Sequence, residues 1–86
     1  MNKDDFQKAS IHQSITPGEA LKMLRELQGM SQNQLAELTG INQSNISAIE
    51  NGVRQVGRDT AIAFARALSV HPSVILFPDF SIDEAA

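Results

Sequence analysis

Cysteine is absent from the 86 residues, which excludes a disulfide framework and a thiolate metal site. Tryptophan and tyrosine are absent too, and the aromatics are four phenylalanines, so a core must be built mostly from aliphatic side chains. No apolar run approaches the roughly 20 residues of a membrane-spanning helix. The first residues lack the apolar segment of a signal peptide, so a soluble cytoplasmic protein without a membrane partner is expected. Cations are few: seven Lys and Arg stand against ten Asp and Glu, a formal charge of −3. That balance disfavours a polyanionic ligand, because nucleic-acid affinity is mostly electrostatic. Its location weakens the objection. Lys22, Arg25, Arg54, Arg58 and Arg66 offset Glu19, Glu26, Glu37, Glu50 and Asp59 between residues 17 and 70, and the deficit falls on Asp79, Asp83 and Glu84. Internal repeats, low-complexity tracts and hairpin signals are missing. So is any nucleophile–base pattern or phosphate-binding loop, and His12 and His71 stand too far apart for a metal site. Neither an enzyme nor a cofactor is expected.

What is present centres on residues 32–51, QNQLAELTGINQSNISAIEN. Leu35, Ala36 and Leu38 give one short helix an apolar face, and Ile46 and Ile49 give one to the next. Between them Gly40 lets the chain leave the first helix through a left-handed conformation without a Cβ penalty. Ala36 is small enough for close approach, and Ile46 fills the angle from the other side. This ordered set meets the geometric demands of a helix-turn-helix.

Capping signals delimit the other elements. Thr16, Pro17 and Glu19 form an N-cap, a first-position proline and a capping box, after which Leu21, Leu24 and Leu27 or Gln28 follow at helical spacing. Gly29 stops that helix and Met30 turns inward. Ser31 with Gln34 opens the second helix by another capping box, Asn42 caps the third, and Gly52 closes it after Asn51. A fourth helix from about Arg58 to Leu68 presents Ala61, Ile62, Phe64, Ala65 and Leu68. His71 and Pro72 open a short fifth helix that ends at Pro78. The expected organisation is a flexible arm over residues 1–15, an all-α domain of five helices over 16–78 and an acidic tail over 79–86. The arm either does nothing specific or orders on a partner.

With these residues in place, the chain resembles the phage repressor/Cro (XRE-type) helix-turn-helix family from about Leu21 to Phe77. The resemblance rests on LRELQGMSQNQLAELTGINQSNISAIENG and ARALSVHPSVILF. It implies a five-helix lambda-repressor-like fold whose third helix enters the major groove of double-stranded DNA while the second crosses the backbone. Val56-Gly57 departs from the Pro-Ser common in the family at that loop. The opening TPGEAL is also similar to the PGE segment of HigA-type antitoxins.

The candidate base-reading residues are Gln43, Ser44, Asn45, Ser47 and Ala48. Glutamine and asparagine can pair bidentately with adenine, serine can donate or accept, and a small alanine permits close approach to a thymine methyl. The resemblance implies that Gln43 reads a base and that Gln32 contacts phosphate and supports that readout. Further phosphate candidates are Asn33, Asn51, Arg54 and Arg58. It also implies a partly buried salt bridge between Arg25 and Glu50, the alternative being two solvated charges. Ile75, Leu76, Phe77 and Phe80 are candidates for a dimer interface, although Ile75 and Leu76 can equally pack into their own core. The expected function is a sequence-specific transcriptional repressor acting as a homodimer on a palindromic operator. The alternative is the antitoxin of a toxin–antitoxin pair, with an mRNA-cleaving toxin as protein partner and its own operon as target.

Overall fold

The computed structural model describes residues 15–78. Most of the arm, the acidic tail and the interface candidate Phe80 therefore lie outside the described residues. The order is α1 (Pro17–Leu27), α2 (Gln32–Thr39), α3 (Gln43–Glu50), α4 (Arg58–Leu68) and α5 (Pro72–Leu76).

Local hydrogen bonds set the helix starts. Thr16 Oγ1 accepts from the Glu19 amide at 3.1 Å, and Glu19 Oε1 accepts from the Thr16 amide at 2.9 Å. Ser31 and Gln34 repeat the reciprocal pair at 3.0 and 2.7 Å. Asn42 Oδ1 accepts from the Asn45 amide at 3.0 Å. Each bond satisfies a donor that has no partner within the helix. At the α2–α3 turn Gly40 adopts φ 77° and donates its amide to the Ala36 carbonyl at 2.8 Å. Thr39 tightens the same turn, donating to the Leu35 carbonyl and accepting from the Ile41 amide.

The core gathers one face from every helix: Leu21, Leu35, Ile46, Ile49, Ala61, Phe64, Ala65, Leu68 and Ile75. Phe64 is its largest side chain and is fully buried. Full burial of such a residue contributes about 1.5–3 kcal/mol, more than an exposed ion pair supplies. Helix α1 packs on α3, α4 and α5, while α2 packs on α3 and α4. The α2–α3 pair is thus clamped between α1 and α4 with one side of α3 left outward.

One expectation about apolar faces is corrected and two open alternatives are decided. Leu38 is 61% exposed and takes no part in the core face of α2, which Leu35 and the half-buried Ala36 supply. Leu27 is 80% exposed. Gln28 takes over at that end of α1, donating its Nε2 to the Leu68 carbonyl at the end of α4 at 2.8 Å. Ile75 is fully buried and is withdrawn from the interface candidates, because α5 lies on α1 and α4 and turns Ile75 toward them.

Candidate nucleic-acid interface

The outward side of α3 begins at the polar sequence Gln43-Ser44-Asn45. Gln43 and Ser44 are exposed, and Asn45, Ser47 and Ala48 are half-buried. Ser44 Oγ donates to Asn42 Oδ1 at 3.0 Å, so the cap steadies this first turn from two sides. At the other end Asn51 Nδ2 donates to Ser47 Oγ at 3.4 Å. The chain then folds back: the Val53 and Arg54 amides donate to the Ala48 carbonyl at 2.8 and 3.2 Å. Gly52, at φ 80°, makes that reversal.

Arg54 is thereby fixed directly after α3, and Arg58 opens α4. Both are exposed and form no ion pair among the described residues. The first turn of α2 exposes Asn33, with Gln32 half-buried beside it. Helix-start amides of this kind favour anions.

Behind the polar face lies the pair expected between Arg25 and Glu50, and it is buried. Arg25 Nε donates to Glu50 Oε2 at 2.7 Å and Arg25 Nη2 to Glu50 Oε1 at 2.9 Å. Arg25 Nη1 also donates to the Met30 carbonyl at 2.7 Å. Arg25 is 7% exposed and Glu50 6%, which sets aside the solvated alternative. Burial pushes the Glu50 carboxyl up, but hydrogen bonds from Arg25 and Gln32, with the charges of Arg25 and Lys22, outweigh it and hold the group below its ordinary value. The hydrogen bond to Glu50 raises the Arg25 guanidinium in turn, against the opposing effect of burial.

Gln32 does support Gln43, as the resemblance implies, but its bond to Glu50 and the close approach at Gly18 escaped the sequence. Gln32 Nε2 donates to Glu50 Oε1 at 3.0 Å, and Gln32 Oε1 accepts from Gln43 Nε2 at 2.6 Å. No local pattern reports a contact across 18 residues. At Gly18 a Cβ would overlap the backbone carbonyl of Ile49. A glycine inside a well-capped helix costs about 1 kcal/mol against alanine, and that cost was the available signal. The PGE segment is accounted for by these roles: Pro17 opens α1, Gly18 admits α3 and Glu19 closes the capping box.

The helix-turn-helix family matches residues 21–75. The HTH-type transcriptional repressor RghR of Bacillus subtilis is 37% identical over 68 residues, which are 78% of this chain and 50% of that protein. An uncharacterized HTH-type transcriptional regulator of Sinorhizobium fredii, y4dL, is 40% identical over 58 residues, 67% of this chain and 29% of the relative. The chain thus spans half or less of the length of these relatives. Among solved structures, the restriction-modification controller protein C.AhdI of Aeromonas hydrophila superposes with a TM-score of 0.68 at 32% identity, covering 72% of this chain and 94% of that one. The P22 c2 repressor, solved with a synthetic operator, shares the fold with a TM-score of 0.70 at 22% identity over 74% of this chain and 97% of its own.

Proposed function

The chain belongs to the helix-turn-helix family, and from that membership we propose that it is a sequence-specific DNA-binding transcriptional regulator acting as a repressor. The observation that carries this reading is the uncharged polar turn of α3, exposed immediately after the Gly40 turn and braced from behind by Gln32 and the buried Arg25–Glu50 pair. Helix α3 enters the major groove, where Gln43, Ser44, Asn45, Ser47 and Ala48 meet base edges. The first turn of α2 at Gln32 and Asn33, together with Asn51, Arg54 and Arg58, meets phosphates and sets register.

Few cations serve this surface, so one copy supplies little electrostatic affinity. Two copies on a palindromic operator double the contacts. Val74 and Phe77 are 42% and 64% exposed at α5, beside the half-buried Leu76, and they form the dimer contact in this reading. Such a regulator acts in the cytoplasm, and no helix among the described residues is long and apolar enough to cross a membrane. The antitoxin alternative, suggested by the PGE likeness, the small size, the acidic charge and the N-terminal arm, finds no support among the relatives, which are HTH-type transcriptional regulators and a repressor. Selection of bound duplexes from a random pool, followed by footprinting on the promoter of the protein's own gene, tests the proposal. A recovered palindromic motif protected in the promoter supports it, and recovery of no motif overturns it.

A further inference from the structure

The reading face is connected to the core by a chain of hydrogen bonds with a fixed direction. An ionised carboxylate can only accept. Glu50 accepts from Arg25 through both oxygens, and its Oε1 accepts in addition from Gln32 Nε2 at 3.0 Å. Gln32 must therefore turn its NH₂ group inward and its carbonyl outward, since the reverse would set a carbonyl oxygen against the carboxylate. That carbonyl accepts from Gln43 Nε2 at 2.6 Å. The two ends of a glutamine amide are ordinarily interchangeable by a half-turn about its last bond, but here each link orients the next. Gln43 is left with one N–H and its carbonyl oxygen for a ligand.

We infer that Glu50 is a positioning residue for base recognition: acting through Gln32, it holds the Gln43 amide in one sense and so selects adenine over guanine at the base Gln43 meets. This rests on the reading of α3 as the base-reading helix. Adenine offers the N7 acceptor and the N6 donor in the major groove, whereas guanine offers two acceptors, N7 and O6. The held amide has one donor and one acceptor, the complement of adenine. Guanine calls for two donors, and the second N–H of Gln43 is engaged by Gln32. Once Glu50 no longer directs Gln32, the Gln43 amide can turn its whole NH₂ group to guanine, and discrimination falls.

The test uses a duplex selected from a random pool and its single-pair variants, with Gln43→Ala locating the base pair whose preference depends on Gln43. At that position the parent protein should favour adenine over guanine by about 5- to 150-fold, the range of one bidentate contact. Glu50→Gln should lower that ratio at least about fivefold, toward the Gln43→Ala value. Because Glu50→Gln strands a buried guanidinium and can fail to fold, two further variants carry the same measurement. The double variant Arg25→Met with Glu50→Leu replaces the pair by apolar side chains, and Gln32→Leu breaks the link outside the core. A merely structural role lowers affinity for both duplexes by one factor and leaves the ratio intact. An unchanged ratio in the folded variants, with Gln43→Ala still abolishing the preference, overturns the inference alone. If Gln43→Ala disturbs no base preference, the base-reading assignment of Gln43 fails and the inference falls with it; a parent that favours another base at the Gln43-dependent position overturns the inference alone.

Discussion

Gly18 lies against the carbonyl of Ile49, with no room between them for a Cβ. This contact sets how closely α1 approaches α3, and with it the reach of Arg25 to Glu50. Gly18→Ala would force backbone to move on one side, and overpacking of that kind costs about 1–3 kcal/mol. Chemical denaturation of the variant should show a loss of that size; an unchanged midpoint would mean that the two helices are not in this contact.

Gly40 makes the opposite demand. Nothing lies within 4 Å of a Cβ placed there, but its φ is +77°. The penalty for Gly40→Val is conformational, since a β-branched residue is strained at positive φ, and about 1–3 kcal/mol is expected. A thermal melt is the measurement, and a melt equal to the parent's would place the turn elsewhere.

Removing one partner of the buried pair should be among the costliest single changes. Glu50→Gln leaves the Arg25 guanidinium buried without its counter-ion, at about 3–5 kcal/mol when fully enclosed. The effect depends on pH. The Glu50 carboxyl is held below its ordinary value of 4.5, so its contribution is complete above that value and is lost as pH falls through the lower, folded one. The stability difference between the parent and Glu50→Gln should therefore shrink on acidification below about 4.5. Denaturation curves across that range decide it, and a difference that grows in acid would reverse the sign.

Gln43 and Arg54 should fail in different ways. Gln43→Ala should cost about 1–3 kcal/mol on the preferred duplex and much less on duplexes altered at its base. Arg54→Ala should weaken every sequence alike and lower the salt slope by about one unit, the mark of one lost phosphate contact. Titrations of both variants on matched and mismatched DNA over a salt series separate these outcomes. The reading face is misassigned if the two patterns are exchanged.

Phe77 is exposed at the end of α5, so a charge there should leave the fold intact. If α5 joins two copies, Phe77→Asp should shift sedimentation toward monomer and weaken operator binding while the thermal melt stays near the parent's. The joined copies should set their α3 helices about 34 Å apart, one turn of DNA. A parent that sediments and binds as a monomer would remove the dimer.

Capping and turn chemistry is local, and for that reason it was legible in the chain. Thr16, Ser31 and Asn42 each act on an amide three residues away, and Gly40 answers to its own φ, so five helices and the exposed turn of α3 could be read from adjacent residues. Which side chains are buried depends on partners far along the chain. Leu38 and Leu35 look alike in sequence, yet α4 and α3 cover Leu35 and leave Leu38 in solvent. The same holds for Ile75, which α1 and α4 enclose. Arg25 meets Glu50 across 25 positions, and Gln32 joins that pair to Gln43. Only the folded arrangement makes these groups neighbours, and hydrogen bonding at about 3 Å then decides which way each amide must face.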